Sequence, residues 1–71
     1  MQERFEELAR LQDGWLDGTG FAITEAALAA AKVLAEERKP VRVYPTEGGG
    51  ILLENNTDSW EIDPNGTIER F

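Results

Sequence analysis

The chain is 71 residues long, with seven Lys and Arg against fourteen Asp and Glu, a net charge of −7, and neither Cys nor His. That length holds one domain around a single small core, and a chain this acidic is repelled by nucleic acid and by anionic membranes, leaving basic proteins as its natural partners. Disulfides, thiolate zinc sites and the commonest general base are excluded by composition, and no cofactor is implied.

Residues 2–12 read as a short helix. Phe5, Leu8, Leu11 and Gln12 mark its spacing, Leu8 and Leu11 are the core candidates, and Glu3, Glu6 and Glu7 favour its N-terminal end. The stretch Asp13-Gly14-Trp15-Leu16-Asp17-Gly18-Thr19-Gly20 is a loop or a chain of turns, and its two large apolar residues are expected to tuck back against the body of the protein. A second helix opens at Thr24, a good N-cap, with Glu25 in the first turn and Ile23 placed to staple onto Leu28. Alanine fills six of the ten positions from Ala26 to Ala35, giving high helix propensity. Its buried stripe is Ala27, Leu28, Ala31, Leu34 and Ala35, with Val33 at the margin. Arg38 and Lys39 complement the C-terminal dipole, and Pro40 stops the helix.

After Pro40 the period changes from 3.6 to 2. Val41 to Tyr44, Ile51 to Glu54, Ser59 to Asp63 and Thr67 to Phe71 read as four strands, joined by turns at 45–50, 55–58 and 64–66. Connections this short permit only an antiparallel meander. No repeat, low-complexity tract or linker interrupts the chain, so residues 1–71 form one domain, helical over 2–39 and sheet over 40–71. The expected fold class is α+β, two N-terminal helices packed on one face of a four-stranded antiparallel meander, ααββββ. The longest apolar run, Ala26 to Ala31, is far shorter than the ~20 residues that span a bilayer. The start Met1-Gln2-Glu3-Arg4 does not read as a signal peptide, and the lack of Cys suits a reducing cytoplasm.

Alternation sorts the strand residues onto two faces. Val41, Val43, Ile51, Leu53, Trp60, Ile62 and Ile68 form the core face, with Arg70 as a misfit. The opposite face carries Arg42, Tyr44, Leu52, Glu54, Glu61, Asp63, Thr67, Glu69 and Phe71. Between Thr46 and Glu69 stand six acids and no basic residue. Glu54, Glu61, Asp63 and Glu69 therefore project from successive strands without a cation among them, and like charges facing one another across strands cost stability. Two readings follow. The acids are a solubility surface that keeps the chain monomeric rather than homodimeric, or they are built to meet a basic partner, with Tyr44, Leu52 and Phe71 as apolar contacts.

Other constellations are weaker. Asp13-Gly14-x-x-Asp17-Gly18 resembles part of a calcium loop, but Trp15 and Thr24 stand where carboxylates are needed. Gly48-Gly49-Gly50 lacks the Lys-Ser/Thr and the helix of a phosphate cradle, so a hairpin turn accounts for it. Glu61 and Glu69 have glycosidase chemistry, but 71 residues scarcely build a sugar cleft, and the chain reads as non-enzymatic. Trp60 belongs to the core face, whereas Trp15, in a glycine-rich loop, either packs onto the helices or serves as an interface anchor.

Gly14-Trp15-x-Asp17-Gly18, Tyr44-Pro45-Thr46-x-Gly48-Gly49 and Leu53-Glu54 resemble a pattern that recurs in small, poorly characterised bacterial proteins. This resemblance spans about residues 13–63 and implies a fold rather than a function. In size, acidity, lack of Cys and His, and α/β make-up, the chain is also similar to anti-CRISPR proteins of phages and mobile elements, among them the small inhibitors of type I systems. That likeness implies an inhibitor in the cytoplasm of a bacterial host. Such an inhibitor binds a nucleic-acid-recognising protein, such as a subunit of a CRISPR surveillance complex, and blocks DNA by charge mimicry. Glu54, Glu61, Asp63 and Glu69, with Tyr44 and Trp15, are the candidate contacts, from alternation and loop chemistry alone. The alternatives are an antitoxin-like or regulatory module acting through the Trp15 loop, and an accessory subunit of an enzyme assembly that pairs through a sheet edge.

Overall fold

The computed structural model describes residues 2–71. Two helices, α1 (Gln2–Ala9) and α2 (Glu25–Arg38), precede four strands, β1 (Arg42–Pro45), β2 (Ile51–Glu54), β3 (Ser59–Ile62) and β4 (Ile68–Arg70). The strands form one antiparallel sheet in the order β1-β2-β3-β4, so the fold is α+β, ααββββ. Among the described residues no helix is long and apolar enough to cross a membrane.

α1 is shorter than its spacing predicts. The amides of Arg10 and Leu11 bond the carbonyls of Glu7 and Leu8, three residues back, at 3.2 Å each. This tight closing turn takes the chain off the helical period. Leu11 is consequently only partly buried, and Phe5, with Leu8, supplies the core contact of α1. α2 follows the sequence reading closely. Thr24 accepts from the Ala27 amide at 3.0 Å, and the buried residues are Ala27, Leu28, Ala31, Leu34 and Ala35. The Thr24 hydroxyl also donates to the Pro64 carbonyl, tying the start of α2 to the β3–β4 turn.

α2 lies over β2 and β3, and α1 over β1. Between them the helices and the sheet enclose Val41, Val43, Ile51, Leu53, Trp60 and Ile62. Ile68 departs from its expected place in the core: it is 44% exposed, because β4 is the outermost strand and neither helix packs extensively on it. Arg70, the misfit of the core face, escapes burial for the same reason. Over the neighbouring Trp60 ring lies the Arg38 guanidinium, 5.8 Å from its centroid, a cation–π contact at the end of α2.

The loop between the helices docks on the β1–β2 turn. Phe21 donates to the Glu47 carbonyl at 2.8 Å and Thr24 to that of Gly49 at 3.1 Å. Close approach explains the glycines there. A Cβ on Gly50 would lie 2.2 Å from the Ile62 carbonyl oxygen, and Gly49, at φ +95°, faces the Ala22 carbonyl. A side chain at either position would force the backbone apart.

Candidate protein-interaction face

The face of the sheet turned away from the helices is built by strand register. Tyr44 stands opposite Leu52, Leu52 opposite Glu61, and Glu61 opposite Glu69, a single row across all four strands. A second row runs Arg42, Glu54, Ser59, and the bond from the Phe71 amide to the Ser59 carbonyl sets Phe71 at its end. Asp63 follows β3 on the same face two residues after Glu61, held by its amide bond to the Thr67 carbonyl at 2.8 Å.

Register also corrects the expectation that all the acids lack cations. Glu54 receives Arg42 Nε at 3.2 Å, its direct cross-strand neighbour. Asp58 receives Arg70 Nε at 3.3 Å. Both cations come from outside the 46–69 stretch, where counting charges along the chain does not find them. Glu61, Asp63 and Glu69 remain without an ion pair among the described residues. The unbalanced charge is therefore concentrated on β3, β4 and the turn between them. Tyr44, 39% exposed, and the half-buried Leu52 continue the Glu61–Glu69 row as an apolar extension.

Four of the seven basic residues, Arg38, Lys39, Arg42 and Arg70, gather at the end of the molecule where α2, β2 and β4 finish. Glu36, Glu54 and Asp58 stand at the same end and pair with Lys39, Arg42 and Arg70, and the opposite end carries Glu25, Glu47 and Asp63. Which charges meet is invisible in the sequence, because it depends on which element ends the antiparallel strands bring together.

Trp15 sits in the loop docked at the β1–β2 turn and shares no strand register with the acids. Its ring is half-buried, its Nε1 donates to the Phe21 carbonyl at 2.8 Å, and Gly20 packs against it. The ring thus organises its own loop. The loop's exposed apolar surface belongs instead to Leu16, 46% exposed, and Phe21, 64% exposed. Leu16 does not tuck in as expected, because Asp17 and Gly18, both at positive φ, form a two-residue hairpin that carries it outward. The Asp-Gly pair was the available signal for that hairpin.

No family model, curated protein or solved structure matches this chain.

Proposed function

We propose that this protein is a non-enzymatic binding module whose open sheet face engages a basic, nucleic-acid-binding protein and competes with nucleic acid for it. The observation that carries this reading is the direct juxtaposition of Glu61 and Glu69, without an ion pair among the described residues and beside Asp63, in one row with Tyr44 and Leu52. Facing carboxylates disfavour the free sheet, and a cationic surface laid over them removes that cost. Strand spacing of ~4.8 Å and a two-residue rise of ~6.6 Å give the carboxylates the coarse spacing of a polyanion. Arg42 and Arg70 are engaged with Glu54 and Asp58, which leaves Glu61, Asp63 and Glu69 for a basic partner, and attraction to them accelerates encounter. Inhibition of a nucleic-acid-recognising complex, as in anti-CRISPR proteins acting on a surveillance-complex subunit, is the activity that suits this surface.

The test is retention of a partner from host lysate by the tagged protein, with and without excess duplex DNA, over a range of salt. The expected result is capture that DNA and salt both abolish and that Glu61→Gln with Asp63→Asn removes. A partner held equally through excess DNA, high salt and that double substitution overturns the reading. It would favour a regulatory module acting through the Trp15 loop, for which exposed Leu16 and Phe21 are the supporting observation.

A further inference from the structure

A cavity of about 460 Å³ opens where the end of α2, the start of β1 and the β2–β3 turn meet. Arg38, Lys39 and Arg42 line it from one segment, and Asn55, Asn56 and Thr57 from the other. A second cavity, of about 360 Å³, continues along β1, sharing Arg42 and adding Arg4 of α1. The chain has twice as many acids as bases. Yet four of its seven cations line these two cavities, and no carboxylate does.

The lining presents donors. Arg38 has no ion pair among the described residues, and its guanidinium lies 5.8 Å from the Trp60 ring centroid. Stacking there holds the plane in place and leaves its N–H edges free. Arg42 spends Nε on Glu54 and Nη2 on the Asn55 carbonyl, so Nη1 stays available. The Asn55 side-chain oxygen is consumed by the Thr57 amide and hydroxyl and the Asp58 amide, at 2.9, 3.1 and 2.7 Å. What remains of that side chain is its NH2 group. Along β1 the Thr46 amide bonds the Gly50 carbonyl, so alternation turns the Val43 N–H and C=O outward. Arg4 Nε already occupies that carbonyl at 2.8 Å, and the N–H is left.

We infer that this cleft binds a small phosphate-bearing ligand, its phosphate between Arg38, Lys39 and Arg42 and a second one reaching towards Arg4. Guanidinium forks match phosphate oxygens two at a time, and the cavity volume lies in the range of small-molecule sites. The opposing charges are weaker or more distant. Glu7, Glu36 and Glu54 bridge Arg4, Lys39 and Arg42 in exposed pairs that hold little energy against a competing dianion. The end of α2 contributes about half a negative charge against three cations. Glu61 and Glu69 stand two and three strands from β1, or ~10 and ~14 Å, beyond the ~8 Å Debye length at physiological salt. The same distances exclude a nucleic-acid duplex, whose backbone continues past the cleft towards those carboxylates. The site is separate from the acidic face and stands or falls independently of it.

Amide NMR titration of the full chain with inorganic phosphate and with pyrophosphate, at ionic strength held constant by sodium chloride, tests this. The expected result is saturable shifts at Lys39, Arg42, Val43 and Thr57, with a Kd of about 1 mM for phosphate. Pyrophosphate, which reaches Arg4, should bind at least about threefold more tightly. Arg38→Gln and Arg42→Gln, whose spectra also report the fold, should each weaken binding by about threefold to tenfold. Arg10→Gln makes the same change in net charge outside both cavities and should leave binding unchanged. Shifts that do not saturate, or that all three substitutions reduce equally, overturn the proposal. So does a DNA oligonucleotide that displaces pyrophosphate and binds more tightly than it.

Discussion

Replacing Glu61 with Gln removes one charge from the centre of the acidic row and leaves its shape nearly unchanged. Glu61 faces Glu69 across the strands, where side chains start ~5 Å apart, and Asp63 lies ~6.6 Å along the strand. Two unit charges ~6 Å apart repel by about 0.7 kcal/mol in a water-like dielectric. A Debye length of ~8 Å at physiological salt roughly halves that. With two neighbours relieved and side-chain freedom discounted, the free protein should gain about 0.5 kcal/mol, or a Tm about 2–4 °C higher. Urea unfolding followed by tryptophan fluorescence measures the gain. It should be largest at ~10 mM salt and vanish near 1 M, where the Debye length falls to ~3 Å. The same substitution weakens partner binding, so stability and function move in opposite directions. A Glu61→Gln protein less stable than the parent at low salt would show that Glu61 has a favourable partner. The argument that this row is under electrostatic strain would then fail.

Thr24→Ala removes both the cap to the Ala27 amide and the tie to the Pro64 carbonyl. It should cost about 2 kcal/mol in urea unfolding, with Thr24→Ser retaining most of that; a loss under about 0.5 kcal/mol refutes the double role. Gly50→Ala places a Cβ 2.2 Å from the Ile62 carbonyl oxygen and should destabilise by about 3 kcal/mol or more. Gly48→Ala, where a Cβ meets nothing within 4 Å, should shift the thermal midpoint far less, and equal effects would refute the close-approach argument.

Several features of this protein are set within a few residues, and these are legible in the sequence. The Thr24 cap, the alanine-rich stripe of α2 and the stop at Pro40 depend on neighbours one or two turns away. The change to alternating periodicity and the short Asp-, Asn- and Gly-rich turns settle a meander and which residues share a face. Alternation alone therefore sets Glu61, Asp63 and Glu69 on one surface, as the strand register does. Tertiary structure decided what each face meets. Only antiparallel register brings Arg42 to Glu54, and only the outcome of sheet closure brings Arg70 to Asp58. Alternation assigns Ile68 to the helix side, but the reach of two short helices decides that it is uncovered. The period of α1 favours Leu11, but an early closing turn leaves it only partly buried, and the core contact falls to Phe5 and Leu8. Gly50 looks like one of three interchangeable turn glycines until Ile62, twelve residues on, lies against it. Local chemistry acts through covalent spacing, whereas partners and cover depend on contacts that exist only once distant segments have packed.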